Sequence, residues 1–279
     1  MNDRTPTEKS TPLYSLRRLR RQLRVDSALW WLYKFVLCLA MCYAVVDVFM
    51  NKRPEIGLGL FLIVFLAGWT LYGLTSARVA QQLPQITEWI ETDPGTAETA
   101  LASSLRRRPL QRSLRLLLYH RVAMVYRRRE RFSDVAEICQ ALLSLANDRL
   151  AAVRGHLLIL LTESCLQCGD LVGTWWGLTQ LHACRLTLIE KLQLVALQTR
   201  YEVQAGHNAV ALHGLEQKLT LIELMPAPQC GAIHATLAKA AQRVDQNETA
   251  HWLRRRAELL CTPEQLENLG GTPTHHQPV

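Results

Sequence analysis

Two apolar stretches near the N-terminus, separated by five residues, constrain this chain more than anything else in it. Leu29–Met50 and Ile56–Thr75 each run about 20 residues, the length a helix needs to cross ~30 Å of hydrocarbon. Between them lies Asn-Lys-Arg-Pro-Glu, residues 51–55. That is enough to turn an antiparallel helical hairpin and too short for any other connection. The reading is a retained anchor over residues 28–75 with spans at 29–50 and 56–75. The first stretch is too long for the apolar core of a cleaved signal peptide, and a second follows directly. Trp30, Trp31, Tyr33, Tyr43, Trp69 and Tyr72 fall toward the ends, where interfacial aromatics sit. Lys34 and Asp47 each lie near a predicted interface and can reach the headgroups.

The charge distribution gives a direction. The net charge of +8 comes from two short blocks. Residues 1–27 form a basic segment with Arg17, Arg18, Arg20, Arg21 and Arg24 flanking the first stretch, and residues 104–131 hold ten arginines against one acidic residue. The hairpin loop offers only Lys52 and Arg53. The positive-inside rule then predicts a multi-pass protein of the cell inner or plasma membrane with both termini in the cytoplasm. The eight cysteines are scattered, with no disulfide spacing, and fit a reducing compartment.

From Ser76 the pattern is helical, rich in Leu, Ala, Gln, Glu and Arg. Breaks recur in it. Taking Gly95, Arg131, Gly169, Gly206 and Asp245 as turn residues gives steps of 36, 38, 37 and 39. Five residues after each comes Ala100, Ala136, Thr174, Ala211 or Ala250, a small residue that would let two antiparallel helices approach. Leu157, Leu158, Leu160 and Leu161, then Leu188, Leu192 and Val195, belong to apolar faces that stacked pairs would bury. The expected fold is all-α: an N-terminal transmembrane hairpin, then a helical-repeat α-solenoid over 76–265. Residues 266–279, rich in Gly, Pro and Thr, are expected to be a disordered tail.

The turns Gly169-Asp170 and Gly206-His207, each with its small residue five on, resemble those of tetratricopeptide repeats over about two-thirds of the chain. The Trp-x-x-Leu-Gly-x-x-Tyr signature of that family is absent, and the period is longer. A generic helical-repeat array or irregular helical bundle stays open beside it. The resemblance implies a surface that binds another protein.

The candidate contact residues are arginines. Arg106, Arg107, Arg108, Arg112 and Arg115 form one group, with Arg108, Arg112 and Arg115 at helical spacing as a stripe and Leu114, Leu117 and Leu118 turned to the core. Arg127, Arg128 and Arg129 cluster at the helix end, where they also offset the macrodipole. A solvated face, an anionic lipid surface and an acidic partner all fit them. Nucleic acid fits less well, because no recognition module accompanies the charge.

Trp175-Trp176 reads as one core residue and one partner-facing residue. Cys165 and Cys168, with His182 and Cys184 downstream, have zinc-like spacing but lie inside a repeat that folds without metal, so no metal or other cofactor is expected. No phosphate loop, nucleophile elbow or dinucleotide fingerprint occurs, and no enzyme activity is expected. Three functional readings follow: a membrane-anchored adaptor or assembly protein for a protein partner, a module contacting anionic lipid through its arginines, and a non-catalytic subunit of a membrane enzyme or transport complex.

Overall fold

The structure, a computed structural model, describes residues 25, 28, 31–32, 35–43 and 46, then 55–106, 112–146, 151–262 and 264. Lys34, Asp47, Arg107, Arg108, the basic segment 1–24, the loop 51–54 and the tail 266–279 lie outside the described residues. Among those described, every regular element is a helix and no strand occurs. The helices are α1 (Glu55–Thr92), α2 (Pro94–Arg106), α3 (Arg112–Arg128), α4 (Phe132–Ala146), α5 (Ala151–Gln167), α6 (Leu171–His182), α7 (Leu188–Gln204), α8 (Asn208–Leu212), α9 (Leu215–Ile222), α10 (Ala227–Arg243) and α11 (Asn247–Leu260).

Local chemistry sets where these helices start. Asp93 accepts from the backbone N–H of Gly95 (3.0 Å) and of Thr96 (3.3 Å) and from the Thr96 hydroxyl (2.6 Å). These bonds, the Thr96 hydroxyl first, hold its carboxyl below the usual range. Pro94 takes the first helical position, where a missing N–H costs nothing. Asp170 caps α6 through the Gly173 N–H (2.9 Å). Thr187 and Glu190 close a reciprocal capping box on α7.

The chain divides into two compact units, the first running to Arg129 and including Ser144–Ala146, the second formed by Glu130–Leu143 and the residues from Asn147 on. The boundary expected at 75/76 is not an element boundary: α1 runs unbroken through it, a 38-residue helix of about 57 Å. In the first unit α1, α2 and α3 pack on one another. Their buried faces carry Val79, Ile86 and Ile90 on α1, Ala97, Leu101 and Leu105 on α2, and Leu114, Leu116, Leu118 and Tyr126 on α3.

In the second unit helices pack pairwise and in sequence. α5 pairs with α6, α7 lies on both, α8 lies on α7, and α10 joins α7 and α8 to its own partner α11. One core gathers Leu158, Ile159, Leu166, Leu178, Leu181, Leu194 and Leu197. Another gathers Leu192, Ile222, Met225, Ile233, Leu237 and Leu253.

Four turns repeat one geometry. Glu130, Gly169, Gly206 and Asp245 have positive φ, between 57° and 82°. After the last three, the next N–H bonds the carbonyl five residues back: Asp170 to Cys165 (2.9 Å), His207 to Glu202 (2.8 Å) and Gln246 to Ala241 (2.9 Å). This left-handed closure satisfies carbonyls that a helix end leaves open. Two expected positions move. The second turn residue is Glu130, not Arg131, because the left-handed residue precedes the capping position. Gly95 is no turn residue, because the Asp93 cap places it inside α2.

Among the described residues no helix is long and apolar enough to cross a membrane. Ten of the 22 residues of the stretch 29–50, and many side chains of the stretch 56–75, lie outside them.

Candidate interaction surface

The described arginines of the block stand on two helices. Arg106 ends α2 and is exposed, whereas Arg112 and Arg115 open α3. Arg108 lies outside the described residues. Arg115 is half-buried, on a helix that also buries Leu114, Leu116, Leu118 and Tyr119. Leu117, expected in the core, is only partly covered. Further along, Arg121 lies beside Met124 Sδ (3.2 Å), and burial lowers its pKa.

At the other end of α3, Arg127 and Arg128 are exposed. Arg129 forms an ion pair with Glu98 of α2, with about a third of the arginine side chain and little of the glutamate exposed. Its charge ties α3 to α2.

The expected small residues divide in the same way. Thr174 and Ala211 are fully buried, and Ala250 packs partly buried against the α10–α11 core. Ala136 and Ala100 are only half-buried; the inward positions there are Val135 and Ala97. The one-residue shift from Arg131 to Glu130 accounts for the first. The tightest approaches use glycines that the spacing did not single out. A Cβ on Gly177 of α6 would run into Thr162 Oγ1 of α5, and one on Gly231 of α10 would run into Cys261 Sγ. Only the contact partner marks them, and no periodicity reveals it.

A break in the second helix of one pair shows a further polar device. His213 is extended and Gly214 left-handed, splitting α8 from α9. Lys218 Nζ reaches back to the carbonyls of Ala211 (2.8 Å) and Val210 (3.3 Å) and bonds Glu202 Oε2 of α7 (3.2 Å). Gln198 donates to the other oxygen of Glu202 (2.9 Å). Carbonyls at the end of α8 thus meet a charge that is itself neutralised.

Exposed large apolar side chains occur in both units. In the first unit they follow one another along the chain: Trp31 (74% exposed), Leu32, Phe35, Val36, Leu39, Met41, Tyr43 and Val46, then Ile63 (68%), Leu66, Trp69 and Leu74. In the second unit they include Val172 (82%), Trp175 and Trp176 on α6, and Leu188 and Ile189 at the start of α7. Neither Trp fills the core, as one was expected to. Trp175 stacks on Tyr201 at 5.8 Å, and the inward positions of α6 are Thr174, Gly177, Leu178 and Leu181. Leu188, expected inside, is the first residue of α7 and points out. α6 carries no Asp, Glu, Lys or Arg.

The cysteines do not converge on a metal-ligand set. Cys165 is buried, Cys168 exposed and Cys184 intermediate, and no group of three ligating side chains gathers among the described residues. Burial pushes the Cys139 thiol up to about 12 and the Cys165 thiol to about 11, which keeps both protonated and unreactive.

No family model, no curated protein and no solved structure matches the chain.

Proposed function

We propose that the protein is a membrane-anchored, non-catalytic adaptor: its apolar helices lie in lipid, and its paired helices, a tetratricopeptide-like array, hold a protein partner at the cytoplasmic face. The observation that supports this best is the run of exposed large apolar side chains between Trp31 and Leu74. Helices that expose such residues to water would aggregate, whereas lipid solvates them. The continuous helix Glu55–Thr92 is long enough to leave the bilayer after about 20 residues and still carry the packed bundle of α1, α2 and α3.

The partner-facing surface is the uncharged outer side of α6. Val172, Trp175 and Trp176 stand there at helical spacing, and tryptophan is enriched where binding energy concentrates. Anchoring raises the effective concentration of such a surface for partners held at the same membrane.

Two measurements test the reading. Alkaline extraction of native membranes should leave the full-length protein in the pellet; release into the supernatant removes the anchor. A photo-crosslinking residue at Val172 should join one defined protein in native membranes, and the same residue at exposed Glu216 should not. Equal labelling from both positions removes the adaptor face.

A further inference from the structure

The outer side of α6 has a charge pattern that suits one kind of partner above others. Val172, Trp175, Trp176, Thr179 and His182 are all exposed and share one face of the helix, at i+3 and i+4 spacings. Along its length α6 carries no Asp, Glu, Lys or Arg. Its two ends differ in sign. Exposed Asp170 caps the start, and exposed Arg185 lies just past the finish. Trp175 is stacked on Tyr201 of α7, so part of the strip is already held in place before anything docks on it.

In a two-fold contact each surface meets itself, so a charge near the axis opposes its own copy. α6 has none there. An antiparallel crossing with its axis between Trp175 and Trp176 sets Val172 of one copy beside Thr179 of the other, each about 5 Å from the axis. In that register Asp170, about 8 Å out, comes level with the other copy's His182, about 10 Å out, with Arg185 just beyond it in the chain. A parallel crossing instead sets Asp170 on Asp170 and Arg185 on Arg185. Each end thus meets its opposite only in the antiparallel pairing, and exposed charges of this kind fix register more than they add affinity.

Resting on the reading that this side of α6 faces a partner, we propose that the partner is a second copy of this chain, packed antiparallel on α6 about a two-fold axis beside Trp175 and Trp176. Affinity comes from the indoles, each with up to ~250 Å² to bury. With 59% of Trp175 and 48% of Trp176 exposed, two copies supply roughly 500 Å², about half of what a specific contact needs. Val172, Thr179 and His182 extend the strip on both sides of them. Membrane anchoring adds to this by raising the concentration at which two copies meet.

The test uses full-length protein, purified in neutral detergent and read by native mass spectrometry at micromolar concentration. The wild type should be a dimer. A photo-crosslinking residue at Val172 should label the second copy within 179–183 and leave 170–174 unlabelled, a measurement that needs no change at the axis. Trp176→Glu puts like charges across the axis and should weaken association roughly thirty-fold or more, and so should Trp176→Lys. Mixed together, the two variants should associate again. A monomeric wild type, a crosslink confined to 170–174, or undiminished association of the Trp176 variants overturns the proposal. The Val172 crosslink in native membranes separates this idea from the one beneath it. A product of twice the chain's mass supports both. One defined product with a different protein overturns the second copy and leaves the adaptor face standing, whereas labelling equal to that from Glu216 brings both down.

Discussion

Helix α1 and the pair α10–α11 use the same residue types with opposite outcomes. Between residues 63 and 74, α1 turns Ile63, Leu66, Trp69 and Leu74 outward. α11 turns Leu253 and Ala257 inward and leaves Arg254, Arg255 and Glu258 to water. α1 makes the same switch within itself: past Leu74 its apolar residues Val79, Ile86 and Ile90 are fully covered by neighbours. Whether a leucine faces in or out is therefore set by what surrounds its segment. The helical geometry itself is common to both.

Charge should separate the two regions most sharply. Arginine at both Ile63 and Leu66 should cost about 2.5–3.5 kcal/mol each in membrane insertion. Arginine at Leu259, 80% exposed on α11, should cost almost nothing. The alkali-resistant membrane fraction reads both. If the 63/66 variant stays in the pellet undiminished, the contrast is lost.

A second test reverses the emphasis. Lys218→Met removes the cation that Glu202 and two helix-end carbonyls share, and breaking a buried pair in this way costs about 3–5 kcal/mol. The denaturation midpoint should fall while membrane retention is unchanged. Replacing Glu202 by Gln as well should cost less than the two single changes added together, because the charges disappear as a pair. Smaller again is Gly177→Ala. The added methyl meets the Thr162 hydroxyl, which already bonds the Leu158 carbonyl (2.7 Å), so the α5–α6 crossing must widen at about 1–3 kcal/mol.

Legibility in the sequence followed range. The helices, their turns and their spacing are local and could be read from breaks in an apolar pattern: Gly169 and Gly206 announce left-handed closure by composition. Glu130 does not, since its positive φ runs against residue preference, and the expected turn slipped to Arg131 and carried Ala136 with it. What depends on two distant segments stayed hidden. The arginines read as one stripe because residues 106–115 are continuous in sequence, while the described ones stand on two helices, Arg106 on α2 and Arg112 and Arg115 on α3. The Arg129–Glu98 and Lys218–Glu202 pairs join separate helices, and no spacing predicts them. Trp175 and Trp176 misled because large aromatics usually fill cores, whereas the tight crossing at Gly177 leaves them outside.

The four left-handed turns give the smallest effects and the finest test of equivalence. At Gly169 and Gly206 an added Cβ meets nothing within 4 Å, so alanine there is opposed only by backbone strain, about 1 kcal/mol. At Glu130 and Asp245 the strain is already present, and glycine should relieve it by roughly 0.5 kcal/mol net of its greater unfolded-state entropy. Asp245 should gain less than Glu130, because aspartate tolerates this conformation better. Thermal unfolding of the four single variants should therefore show two falls and two smaller rises in Tm. A fall for Glu130→Gly would mean that its carboxylate or its chain direction matters more than φ, and the first turn would then differ in kind from the other three.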